Sequence, residues 1–268
     1  MRTLVVSDVH GNCAALEAVV NAARGPFDSV LCLGDLVDYG PDPVCCVNWI
    51  MRHATHCVRG NHDHGAAQDV DIVGVSGFRF LTMSTRGHTR AHLTPDHLRY
   101  LAALPTSKLL AISGLRVMMV HASPRDPMDE YVPNEPDAWA ARLTGLPIDL
   151  LFVGHTHLPF ALTAGRTTVV NPGSVGLPRD GNTKARYALL EDGVVTLHEV
   201  EYDIERTVAA VMRAPLDPLA QKMLSDVYRQ GRYVHPPGMP LPAKISGYTT
   251  PVKPVTGVEK SSAAGESR

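Results

Sequence analysis

Residues 150–160 read LLFVGHTHLPF. Leu150 to Val153 form a continuous apolar run of strand length, bounded by a glycine. Beyond Gly154 the chain places His155 and His157 on either side of Thr156. A core strand that ends in two imidazoles, rather than in an ordinary polar turn, predicts a strand tip used for chemistry. The same design recurs along the chain. The run 3–7 (TLVVS) leads into Asp8 and His10, and 29–33 (SVLCL) leads into Gly34 and Asp35. His56 to Val58 lead into Arg59, Gly60, Asn61, His62, Asp63 and His64, and 115–120 (LRVMMV) leads into His121.

Helical spacing fills the gaps between the early runs. After Asn12, Leu16, Val19, Val20 and Ala23 follow the i, i+3, i+4, i+7 pattern; after Asp42 and Pro43, Val44, Val47 and Ile50 share a face. The order strand, helix, strand, helix predicts an α/β fold, in which the carboxyl ends of the strands share one edge and ligands bind in the crevice there. Further runs at 149–153 and 167–170 add strands, and Asp192-Gly193 between 185–191 and 194–201 is a hairpin signal. The segment 65–108 contains a helix opened by Thr94 and Pro95 and is placed to cover one side of the crevice. A helical pattern spans 203–230, and 233–268, rich in Pro, Gly, Ser and Lys, is expected to be poorly ordered in isolation.

The bulk numbers narrow the classes. The 268 residues are 44% hydrophobic and 19% charged with a net charge of −2, which is the balance of an ordinary globular chain with no overall field for nucleic acid or an anionic membrane. Any affinity for phosphate is therefore local. No secretory core or membrane span is present, so a cytoplasmic location is expected. The five cysteines, at 13, 32, 45, 46 and 57, lack a C-x-x-C pair and read as small core residues in a reducing compartment.

The residues expected to converge are Asp8, His10, Asp35, Asn61, His121, His155 and His157. Each block alone has a plain explanation: Asp8 or Asn12 caps a helix, Gly34-Asp35 makes a turn, and the His pair lies in a loop. Their joint order, each after an apolar run, points to metal. Carboxylate, amide and imidazole donors without thiolates suit manganese, iron, zinc, nickel or magnesium. Seven donors exceed the needs of one ion, and two ions sharing a carboxylate would use them all.

These blocks resemble those of the calcineurin-like metallophosphoesterase superfamily: Asp-x-His, Gly-Asp, Gly-Asn-His-Asp, a lone His, and Gly-His-x-His, from Asp8 to His157. The resemblance covers about residues 1–200. It implies a four-layer α/β/β/α sandwich of two mixed sheets. With the helical insertion at about 65–108 and C-terminal helices at about 203–230, the domain is expected to span 1–232. The resemblance also implies that Asp8, His10 and His157 hold one divalent ion and Asn61, His121 and His155 the other, with Asp35 shared and manganese the expected metal. His62 matches the general-acid position, and Asp63 is expected to orient its ring. Arg59, Asn12 and Arg125 are candidates to meet substrate.

Where phosphoprotein phosphatases and diadenosine tetraphosphatases of this superfamily carry an arginine in the block GDLVDYGP, this chain has Tyr39. That departure favours the small bacterial phosphodiesterases, with a cyclic nucleotide, a nucleic-acid end or a small diester as substrate. A monoesterase, or a protein-binding scaffold like the retromer subunit of this fold, is the alternative. A degraded scaffold is expected to lose the His62 equivalent or several donors, and this chain keeps them all.

Overall fold

The computed structural model describes residues 1–71 and 76–235, so the expectation for the tail falls almost wholly outside the described residues. Two five-stranded sheets form the centre. The first contains β1 (Arg2–Val6), β2 (Ser29–Cys32), β3 (His56–Cys57), β9 (Ala185–Glu191) and β10 (Val194–Val200), in the order β10-β9-β1-β2-β3. The second contains β4 (Ser107–Ile112), β5 (Leu115–Val120), β6 (Leu150–Phe152), β7 (Phe160–Ala164) and β8 (Thr167–Asn171), in the order β4-β5-β6-β8-β7. Both are mixed: β1-β2-β3 and β5-β6-β8 run parallel, while the outer partners are antiparallel.

Strand alternation explains the layering. Successive side chains face opposite sides of a sheet, so Leu4 and Val6 point to one layer and Val5 to another. Leu4 and Val6 pack against α1 (Cys13–Ala23), α2 (Pro43–His53) and α5 (Pro95–Ala103) through Leu16, Val19, Val47, Ile50 and Leu101. Val5, Leu31 and Leu33 instead meet Val117, Met119, Leu150 and Phe152 of the second sheet. On the far side, Met118, Val120 and Leu151 pack on Trp139 and Leu143 of α6 (Pro136–Leu143). The result is helix, sheet, sheet, helix, and the continuously apolar run 150–153 is explained by burial on both faces.

The remaining helices are α3 (Asn61–Gln68), α4 (Ser76–His92), α7 (Ile204–Arg213) and α8 (Pro218–Gln230). Leu81 of α4 joins α7 and α8 in a fourth apolar cluster, which also takes in Tyr39 and Leu177. α4 escapes a reading by hydrophobic period because its inner face includes Thr82, Thr85 and Thr89, all buried. The hairpin at Asp192-Gly193 forms as expected, with positive φ at both residues (49° and 86°) and Val194 opposite Glu191. Among the described residues, no helix is long and apolar enough to cross a membrane.

One expectation is overturned. Cys13 and Cys45 form a disulfide across 32 residues of chain, with Cα atoms 6.0 Å apart, and only Cys32, Cys46 and Cys57 are free. The parallel strands β1 and β2 launch their helices side by side, so the first turns of α1 and α2 meet. No local spacing in the sequence carries that contact.

Candidate metal centre and active site

The loops leaving the parallel strands are stitched to one another by their backbones. Asp8 and His10 N–H donate to Gly34 and Asp35 carbonyls, and Gly154 N–H donates to the His121 carbonyl. Five of the seven expected donors sit at positive φ: Asp8 (53°), His10 (46°), Asp35 (56°), His155 (64°) and His157 (61°). Non-glycine residues seldom adopt this region, and each costs about 1–3 kcal/mol unless the surroundings impose it. Two glycines make room for the carboxylates. A Cβ on Gly60 would lie 2.0 Å from Asp35 Oδ1, and one on Gly154 would lie 2.8 Å from Asp8 Oδ2.

The seven residues are all buried. Asp8, His10 and His157 form one group of facing donor atoms, and Asp35, His121 and His155 form another. Asp35 connects them, its Oδ2 lying 3.2 Å from His121 Nε2 and 3.8 Å from His10 Nε2. Its Oδ1 accepts the His62 backbone N–H at 2.9 Å. Asn61 precedes that N–H.

The imidazoles expose the need for a cation. His10 Nδ1 donates to the Val37 carbonyl, His121 Nδ1 to that of Leu33, and His157 Nδ1 to that of Leu177. A neutral ring so fixed presents a bare lone pair at Nε2, which is how metal-binding histidines are usually oriented. Yet His10 Nε2 and His157 Nε2 face each other at 3.2 Å, where two lone pairs repel. Asp8 Oδ1, Asn61 Oδ1, His121 Nε2 and His155 Nε2 are also buried without a hydrogen-bond partner. Buried polar atoms left this way are costly, and here they come from the set of donors suited to a hard or intermediate divalent ion.

The electrostatics agree for His10, His155 and His157. Burial holds His10 and His155 well below the usual histidine range, and burial followed by the Arg179 charge lowers His157. These rings are therefore neutral, the form that binds metal. Burial opposes ionisation of Asp8, but His157 beside it holds the carboxyl below its ordinary value. Burial likewise opposes charge on Asp35, and His121 and His62 outweigh it. At His121 burial is overcome by Asp35, which pushes the ring up to about 10.

His62, on the first turn of α3, lies against the same cluster with its ring 4.9 Å from that of His10. The orienting role expected of Asp63 is corrected: Asp38 Oδ2 meets His62 Nδ1 at 2.9 Å. Neighbouring residues on a helix point in different directions, and Asp63 turns back to accept the N–H groups of Gly60, Asp35 and Leu36. It brackets two motif loops. Burial and the nearby Asp35 push it up to about 7, against the pull of its backbone donors. The Asp63→Ala variant, which orphans three buried N–H groups, is expected to lose about 3 kcal/mol of stability in urea denaturation.

Asp38 is itself gripped by Arg86 of α4, with Nη2 2.6 Å from Oδ2 and Nε 3.0 Å from Oδ1. Burial alone would raise the Asp38 carboxyl, but the His62 and Arg86 hydrogen bonds keep it below its ordinary value. Thr82 Oγ1 donates to Tyr39 Oη at 2.9 Å, and Tyr39 Oη is 3.4 Å from His62 Nε2. The segment 65–108 thus supplies a supporting layer behind His62.

The three substrate candidates are placed elsewhere. Asn12 caps α1, accepts from Thr207, and donates to the Gly176 carbonyl and Tyr202, so its side chain is fully used in structure. Arg59 donates to the Ala102 carbonyl near the end of α5, drawn there by unsatisfied helix-terminal oxygens. Arg125 is exposed and pairs with Glu130 at 3.4 Å. Sequence reasoning overlooked Arg86, which holds Asp38. The acidic N3 position in Gly60-Asn61-His62-Asp63 was the signal for the capping role of Asp63.

The two mixed sheets carry at their strand tips a buried cluster of Asp and His donors that could hold a metal ion. Residues 1–192 match the calcineurin-like phosphoesterase superfamily domain, and the chain belongs to that superfamily. The chain is 34% identical to a metallophosphoesterase from Sphaerobacter thermophilus, whose crystal structure superposes with a TM-score of 0.71 over 85% of this chain and 99% of that one. An uncharacterized protein of Methanocaldococcus jannaschii is 30% identical over 233 residues, 78% of this chain and 91% of that protein. Phosphodiesterase YfcE of Escherichia coli K12 is 24% identical over 198 residues, 74% and 91% of the two chains. The superfamily implies divalent metal ions, and the unpartnered donors fit them.

Proposed function

We propose that this chain is a phosphodiesterase working with two divalent ions, manganese foremost, in the cytoplasm. Asp8, His10 and His157 are assigned to one ion, Asn61, His121 and His155 to the other, and Asp35 to both. The observation that carries this reading is the meeting of His10 and His157 through bare Nε2 atoms at 3.2 Å, with Asp35 Oδ2 3.8 Å from His10 Nε2 and 3.2 Å from His121 Nε2. When bound, such ions acidify water and neutralise phosphoryl oxygens.

The chain's own residues supply the rest. His62 donates a proton to the departing oxygen, and Asp38, fixed by Arg86, holds the ring through Nδ1 so that Nε2 is the acidic end. Burial around the cluster excludes bulk water and strengthens these contacts. The diesterase preference is supported by Tyr39 in place of an arginine and by the named activity of the YfcE relative. Residues 1–232 are assigned to one phosphoesterase domain.

The test is hydrolysis of bis-(p-nitrophenyl) phosphate and of p-nitrophenyl phosphate by manganese-loaded protein. A higher kcat/KM for the diester is expected. A marked preference for the monoester would overturn the diesterase assignment, and inactivity on both would overturn the phosphoesterase reading for this chain.

A further inference from the structure

Arg179 lies in the loop after β8 and takes no part in the scheme above. Its guanidinium carbon stands 4.1 Å from the Phe78 ring centroid and 5.9 Å from that of Tyr39. Its charge also acts on Tyr131. These rings flank the metal centre: Tyr39 lies 4.8 Å from the His10 ring and 4.9 Å from that of His62, while Tyr131 lies 4.1 Å from the His155 ring. Arg179 thus lies over Phe78 and beside Tyr39, whose ring touches the donor cluster.

Nothing described neutralises it. Arg86 is paired with Asp38 and Arg186 with Asp180, but among the described residues no carboxylate forms an ion pair with Arg179. Its Nε is buried without a partner, while the residue as a whole remains half-buried. An aromatic cradle steadies a guanidinium by cation–π attraction and leaves its N–H fork available. That fork matches two oxygens of a phosphoryl group better than any lysine does.

We propose that Arg179 grips a phosphoryl oxygen of the substrate at the mouth of the metal centre, with Phe78 and Tyr39 fixing the approach of its guanidinium. This rests on the phosphoesterase reading but concerns binding of the phosphoryl group, whichever ester carries it. The residue then governs affinity more than the proton transfer at His62.

Isothermal titration of inorganic phosphate into manganese-loaded wild type, Arg179→Gln and Arg179→Lys tests this directly. Loss of a charge-assisted pair is expected to weaken phosphate binding by about 10- to 100-fold in Arg179→Gln. Arg179→Lys should fall between that variant and wild type. KM for bis-(p-nitrophenyl) phosphate should rise with a smaller change in kcat, while manganese content stays at the wild-type level. Wild-type phosphate affinity in Arg179→Gln overturns the proposal, as does a wild-type protein that binds no phosphate. If Arg179→Gln does not fold, unchanged affinity in Arg179→Lys overturns it and weakened affinity supports it. Phosphate binding that depends on Arg179, in a protein that hydrolyses neither ester, would leave this inference standing and remove the phosphodiesterase reading.

Discussion

His62→Ala is expected to lower turnover of a diester with an alkyl leaving group by about a hundred- to ten-thousandfold, the usual contribution of a positioned acid. The loss should shrink for a p-nitrophenyl leaving group, which departs without a proton. This contrast separates proton donation from a structural role, because a collapsed site would slow both substrates alike. Manganese content should be unchanged, since His62 Nδ1 is committed to Asp38 and its backbone N–H survives the substitution to hold Asp35 Oδ1. Asp38→Asn is expected to reproduce part of the loss, with the same dependence on leaving group. Steady-state rates across a series of leaving groups, set beside metal analysis, are the measurement. Equal losses at every leaving group would remove His62 from the reaction.

The second large effect is at Asp35, whose Oδ2 faces both donor groups. Asp35→Asn keeps the size and an oxygen but removes the charge that both ions would share. Loss of several kcal/mol of charge stabilisation is expected to lower kcat by about a thousandfold or more. The variant should also bind manganese more weakly, and that is readable without any substrate. A ligand that binds only the folded state raises the melting temperature, so added manganese should raise that of wild type and do so far less for Asp35→Asn. An equal manganese-induced rise in both proteins would contradict a shared role for this carboxylate.

Much of this was legible because the site is built at strand tips. Apolar runs ending in Asp8, Asp35, His121 and His155 announced both the parallel strands and the edge where their donors meet. The helices with clean apolar faces, α1, α2 and α5, were equally readable from Leu16, Val47 and Leu101. What stayed hidden depends on contacts between distant segments. Asp38 gains its role only when the chain closes it onto His62, 24 positions away. Arg86 sits on a threonine-rich helix whose buried face carries little hydrophobic signal, and it reaches Asp38 across 48 positions. Sequence adjacency misled at Asp63, which looked like the natural partner of His62. On a helix that adjacency separates the two side chains, and the N3 position sends the carboxylate back to the loop. The Cys13–Cys45 disulfide was missed for a related reason: its partners meet only because two parallel strands set their helices side by side.

As proposed, the buried donors around Asp35 hold a pair of divalent ions. Anomalous diffraction at the manganese edge from crystals grown with manganese addresses this most directly. Two peaks about 3.5–4 Å apart are expected, one beside His10 and His157, the other beside His121 and His155, with Asp35 touching both. No peak at Asp35, or manganese bound only elsewhere on the molecule, would contradict it.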